Sequence, residues 1–143
     1  MMAGDVTVFI REGALPDRQA WPAYENAGAV VSFEGVVRAT EEDREIEGLD
    51  YVAYQPLAER TLELLASDAK ERFGVRAVHV EHSRGFVPVG RCSFRLIVAA
   101  THRREALDAM DWFIDRLKET VPIWKRPAFR DDLADHQAAI RRS

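Results

Sequence analysis

Only one cysteine, Cys92, stands among the 143 residues. No disulfide can form within such a chain, and a reducing compartment is the natural setting. No apolar run approaches the ~18 residues a membrane-spanning helix requires. Met1-Met2-Ala3-Gly4-Asp5 offers neither a basic start nor an apolar signal core, so a cytoplasmic chain away from membranes is expected. A basic excess is also missing. The formal net charge is -4, whereas nucleic-acid binders draw much of their affinity from neutralising phosphates with Lys and Arg. No Gly-rich phosphate loop, Cys-x-x-Cys pair or His-Glu-x-x-His spacing occurs, and these are the commonest signs of nucleotide, redox or zinc chemistry. His79 and His82 make a poor metal pair, because three steps along a strand turn them to opposite faces. His136 lies in a polar tail where solvation accounts for it. Neither a metal nor a cofactor is expected.

What is present suits a globular chain: 47% of residues are hydrophobic and 31% charged, and this length fits one domain over 1–143. Val6 to Ile10 reads as a first strand, and Gly28 to Arg38 as a longer one with a bulge at Gly35. A short helix is expected from Pro16 to about Tyr24. Thr40 to Glu47 holds five acidic residues; it reads as a solvated loop, or in a sharper form as a flap over substrate. Strand character returns from Leu49 to Tyr54. Pro56 then opens a helix whose stripe is Leu57, Thr61, Leu65, Ala69 and Phe73, flanked by Ala58, Leu62 and Ala66 and closed by Gly74. Val75 to Glu81 alternates as a strand, with turns at Arg84-Gly85 and Pro88-Val89-Gly90. Ser93 to Ala100 is a buried strand, and a helix from about His102 to Thr120 carries Leu107, Met110, Ile114 and Leu117 inward. Its N-cap would be Thr101, without a capping box, and Pro122 ends it. A short polar helix is expected from Asp131 to Ser143. The β-α-β-β-α order implies an α+β domain with antiparallel pairing and two main helices on the sheet.

Chemistry concentrates in the last third. Between Arg116 and Arg130 stand Arg116, Lys118, Lys125, Arg126 and Arg130 against the single acid Glu119, with His102-Arg103-Arg104 upstream. A lysine among arginines is a candidate nucleophile or general acid, since clustered cations disfavour one another's charged forms. The arginines can anchor a phosphate or carboxylate by paired hydrogen bonds. Cations offsetting a helix C-terminal dipole explain Lys118 as simply. Pro122 breaks the chain between Lys118 and Lys125, so the two can flank one pocket, with Trp124 as core or pocket wall. Cys92 beside Arg91 reads as a small packed hydrophobe, or as an activated thiol.

Lys118 with Val121-Pro122-Ile123-Trp124-Lys125 resembles the signature of the molybdopterin synthase large-subunit family. Gly28 to Arg38, Leu49 to Ala58, His82 to Gly90 and His102 to Ala106 are similar to further family segments in the same order, so the resemblance runs from Gly28 to Lys125. It implies an α/β-hammerhead-like domain that forms a homodimer. Each end would bind a small ubiquitin-like sulfur carrier through its thiocarboxylated Gly-Gly tail. The implied substrate is cyclic pyranopterin monophosphate, which two sulfur transfers convert to the dithiolene of molybdopterin. By carry-over, Lys118 and Lys125 would be catalytic, and Arg38, His102 and Arg103 would bind the phosphate. The chain departs from the family pattern at Pro127, where an acid is usual, at Val52, where glutamate is common, and in a short tail without tryptophan. Without the resemblance, the same basic cluster suits a non-catalytic domain that holds a phosphate ligand or an anionic protein tail.

Overall fold

The computed structural model describes residues 2–3, 5–18 and 27–132. In chain order the elements are β1 (Met2–Ala3), β2 (Val6–Glu12), β3 (Ala29–Val36), β4 (Thr40–Glu41), β5 (Arg44–Ala53), α1 (Leu57–Phe73), β6 (Ala77–Pro88), β7 (Cys92–Ala100), α2 (Arg103–Thr120) and β8 (Ile123–Phe129). The helix expected from Pro16 falls mostly outside the described residues, and Pro16–Arg18 are not helical. The expected tail helix also lies outside them, apart from a helical turn begun at 130–132, and so does His136.

The main sheet runs β1-β2-β6-β7-β3, with every pair antiparallel except β2 and β6, which are parallel. Alternation gives it two unlike faces. Val6, Val8, Val78, Val80, Leu96 and Val98 point to the helices and share a core with Leu62 and Ala66 of α1 and Ala106, Ala109 and Phe113 of α2. The opposite face carries a polar network. There Arg95, only 3% exposed, reaches Glu34 at 2.9 Å and Glu81 at 3.3 Å. Glu81 in turn meets Arg11 and His79, each at 3.0 Å. Pairing at every member offsets the cost of burying such charges.

β6 is longer than expected because it changes partners instead of turning. Its pairing with β2 ends at Arg84, and pairing with β5 begins at Gly85. Gly85 has φ 76°, a conformation cheap only for glycine, so the Arg84-Gly85 signal marks a hand-over within a strand. β5 then pairs with β8 in a second, smaller sheet, over a core of Val37, Ile46, Leu49 and Val87. β8 had no counterpart among the expected strands. Nor is the acidic stretch a loop: β4 and β5 form a hairpin.

The expected stripe of α1 is buried along its Ala58, Leu62 and Ala66 flank, whereas α2 buries a face rotated from the one expected. In α1 the buried residues are Ala58, Leu62, Leu65, Ala66 and Ala69, while Leu57 is exposed. In α2 they are Ala106, Ala109, Met110 and Phe113; Ile114 and Leu117 lie at the margin and Leu107 faces solvent. Small alanines line much of the contact between helices and sheet, beside Leu62, Leu65 and Phe113, and Leu57 and Leu107 are left outside it. Gly74 closes α1 as expected, with φ 67° and its N–H donating to the Lys70 carbonyl at 3.0 Å. The α2 N-cap is His102, one residue later than expected. From there the backbone N–H donates to the Glu105 carboxylate at 3.2 Å, the reciprocal half of a capping box.

Candidate functional site

Backbone pairing fixes where Arg38 stands. Val37 N–H donates to the Arg91 carbonyl at 3.1 Å, and its own carbonyl accepts from Gly90 at 2.9 Å. Arg38 therefore leaves the sheet beside the β6–β7 turn. The chain reverses at Glu42 and Asp43, whose φ values of 52° and 59° belong to a two-residue hairpin turn. Register then places Thr40 opposite Glu45 and Glu41 opposite Arg44. Arg44 lies over the Phe129 ring at 3.8 Å and reaches Asp132 at 3.4 Å, while Arg130 reaches Glu47 at 2.9 Å and Glu45 at 3.3 Å. Two arginine clasps thus hold the hairpin against the end of β8.

The clasped hairpin carries Glu41 to the cations. Its Oε1 lies 3.6 Å from Lys125 Nζ and 3.7 Å from Arg38 Nη2. The Glu41 side chain is 18% exposed, against 54% for Lys125 and 78% for Arg38. Lys125 stands opposite Tyr51 in the β5–β8 ladder. Beneath it the Tyr51 hydroxyl shares a 2.8 Å hydrogen bond with Ser93, and its ring meets the buried His82 edge-on at 5.3 Å. Burial raises the Tyr51 pKa, opposed by the Ser93 hydrogen bond, and burial lowers that of His82, opposed by its bond to the Ser83 carbonyl. The floor of the site is therefore neutral, and the formal charge lies with Arg38, Glu41 and Lys125.

Not all the expected site residues meet within one chain. Lys118 is exposed on the last turn of α2. β7 leads straight into α2, which packs back along the sheet, so the end of α2 returns toward the Arg38 end of β7. His102 and Arg103 lie at the other end. Eight strand steps from Cys92 to Ala100 span about 26 Å, and fifteen helical steps from Arg103 to Lys118 span about 22 Å. His102 and Arg103 instead border a separate depression of about 650 Å³, together with Gly28, Ala29 and Leu107.

Two expectations need correction, and one open choice is decided. Trp124 alternates with Lys125 along β8, so it faces the opposite side of the strand and packs edge-on against Tyr54 at 5.2 Å. It does not wall the Lys125 pocket. Cys92 fits the packed reading: burial raises its thiol pKa, with Arg95 opposing, and the thiol donates to the Phe94 carbonyl at 3.3 Å. The basic island is also largely matched by acids, with Arg116 on Glu119, Arg130 on Glu45 and Glu47, and Lys125 on Glu41. Glu41 was not among the residues singled out from sequence. Its only signal was the acidic run itself, which offers no way to choose one acid of five.

A mixed sheet over two helices, with a cationic corner built from a strand end, a hairpin and a second strand, defines an α+β domain suited to an anionic ligand. The chain belongs to the MoaE family: the family model described as MoaE protein matches residues 11–120. A molybdopterin synthase catalytic subunit from Emericella nidulans is 40% identical over 106 residues, covering 74% of this chain and 54% of that protein. The chain spans about half the length of such sequence relatives. Among solved structures, molybdopterin synthase from Staphylococcus aureus matches with a TM-score of 0.72 and 33% identity, over 76% of this chain and 80% of that one. A complex of subunits 1 and 2 of the molybdopterin-converting factor from Helicobacter pylori matches with a TM-score of 0.70 and 32% identity, over 86% and 89%.

Proposed function

We propose that this chain transfers sulfur from the C-terminal thiocarboxylate of a small ubiquitin-like carrier subunit to cyclic pyranopterin monophosphate, forming the dithiolene of molybdopterin in the cytoplasm. Family membership supports the reaction class. The observation that carries the reading is the convergence of Lys125 and Arg38 on a single carboxylate oxygen. Two cations aimed at one anionic oxygen suit a thiocarboxylate or phosphate, and they stabilise negative charge gathered in the transition state. Lys125 and Lys118 would be the catalytic pair, with Lys125 as proton donor or nucleophile at the carrier's carbonyl. Arg38, His102 and Arg103 would hold the phosphate.

The carrier as partner is supported by the relative from Helicobacter pylori, a complex of two different subunits. A homodimer is supported by distance. Arg103 stands about 22 Å along α2 from Lys118, too far for both to grip one small substrate from the same chain. A second copy can bring its own His102 and Arg103 to the first copy's lysines.

Reconstitution tests the activity. Purified protein, thiocarboxylated carrier and pyranopterin precursor should yield molybdopterin. Lys125→Ala and Lys118→Ala should each lower turnover by at least about a hundredfold, the scale of positioned acid–base groups, while still binding carrier. Wild-type protein that binds carrier tightly yet forms no product would instead make this a binding domain.

A further inference from the structure

The acids of the hairpin do different jobs. Glu45 and Glu47 clasp Arg130, and Glu42 and Asp43 form the exposed turn. Only Glu41 points into the candidate site, where one of its oxygens lies within 3.7 Å of both Arg38 and Lys125. Its side chain is far more covered than either cation. Surface ion pairs usually form between two mobile side chains. Here the backbone that carries the acid is a short two-residue hairpin, pinned by Arg44 on Phe129 and Asp132 and by Arg130 on Glu45 and Glu47. The carboxylate is thus delivered to a set place between the two cations.

We infer that Glu41 is a resident anion: its carboxylate fills the seat between Arg38 and Lys125 that a substrate oxyanion takes, and an entering phosphate or thiocarboxylate must displace it. This rests on the reading of Arg38 and Lys125 as anion-binding residues. While the seat is filled by its own acid, the two cations stay oriented and small monovalent anions compete poorly. A phosphate dianion, with more charge and more acceptor oxygens than a carboxylate, can take both cations at once. Glu41 therefore sets the threshold an anion must exceed to enter, which makes it a specificity-determining residue.

Inorganic phosphate is the probe, titrated into the full chain at constant ionic strength and followed by backbone amide NMR shifts. Glu41→Gln keeps the shape of the side chain and removes its charge. Glu42→Gln makes the same change in net charge one residue away, in an acid with no ion pair among the described residues. Thermal midpoints verify that both variants are folded. Freeing two partly exposed ion pairs should tighten the phosphate Kd about three- to tenfold in Glu41→Gln, whereas Glu42→Gln should stay within about twofold of wild type. Arg38→Ala and Lys125→Ala should each weaken binding in either background. If binding depends on Arg38 and Lys125 but Glu41→Gln matches Glu42→Gln or binds more weakly, Glu41 is no resident anion and the inference fails alone. If neither cation affects phosphate binding, the anion seat itself is wrong, and both readings fall.

Discussion

Suppose Arg103→Ala and Lys125→Ala are each inactive as homodimers. The strand between Arg38 and His102 spans about 26 Å, and α2 holds Arg103 about 22 Å from Lys118. A substrate gripped by both groups must therefore lie between two copies. Coexpress the two variants with different tags and purify the mixed dimers through both. Each mixed dimer then carries one site in which both contributing chains are intact at the relevant position, and a second site lacking both groups. Two-fold symmetry gives two equivalent sites, so mixed dimers should recover about half of wild-type molybdopterin formation. A random mixture, in which half the dimers are mixed, should recover about a quarter. If Arg103 and Lys125 served the same chain's site, or if Arg103 were not in a site, mixed dimers would not gain in this way. Mixed dimers no more active than the better parent would refute the shared-site reasoning, as would a chain that stays monomeric while turning over.

Two further outcomes follow from packing and charge. Phe113→Ala removes a side chain 1% exposed in the helix–sheet core, so urea unfolding should show a loss of about 3–5 kcal/mol; Leu107→Ala, on the exposed side of the same helix, should lose less than about 1 kcal/mol. Glu81 has its pKa lowered from 4.5 to about 2, chiefly by the hydrogen bond to His79, against burial and with help from Arg11 and Arg95. A depressed folded pKa stabilises above the unfolded value and loses that contribution as pH falls toward the folded one. Wild-type stability should thus decline from about pH 4.5 to pH 2 by up to roughly 3 kcal/mol. In Glu81→Gln that part of the acid slope should vanish, and an unchanged slope in pH-dependent urea melts would contradict the assignment.

Local signals were legible where one residue decides the outcome. Gly74 announced the end of α1 because few residues adopt φ 67° cheaply, and the register slips beside Gly35 where a bulge was expected. Patterns that depend on a partner read less well. Period analysis favoured Leu57 and Leu107 as core, but the helices approach the sheet through alanines, and only the packed structure reveals which side is close. β8 was hidden because Trp124, Lys125 and Arg126 are exposed and carry no apolar alternation; its strand character comes from pairing with β5. The site divided the same way. Lys118 and Lys125 stood out as basic residues on either side of Pro122, and Arg38 came only from the family resemblance, whereas Glu41 joined them because a hairpin 84 positions before Lys125 folds over it. Acidic and basic runs far apart in sequence were each read as solvated or functional on their own, though they pair with each other.

That pairing changes how the basic island should be understood. Five cations against one acid suggested a pocket dominated by positive charge, with lysines crowded by arginines. In the fold, Lys125 has a carboxylate as its near neighbour, Arg130 is spent on the hairpin, and Arg116 is held along its own helix by Glu119. Lys118 and Arg126 are the members of the island without an ion pair among the described residues. With Arg38 and Lys125 sharing one carboxylate, the site is partly neutralised at rest and becomes more strongly cationic when Glu41 is drawn away. An anionic carrier tail and an anionic substrate would otherwise face each other across unmatched charge; with an acid already seated, each must arrive with enough charge to replace it. Binding selectivity then comes from what the empty site already holds.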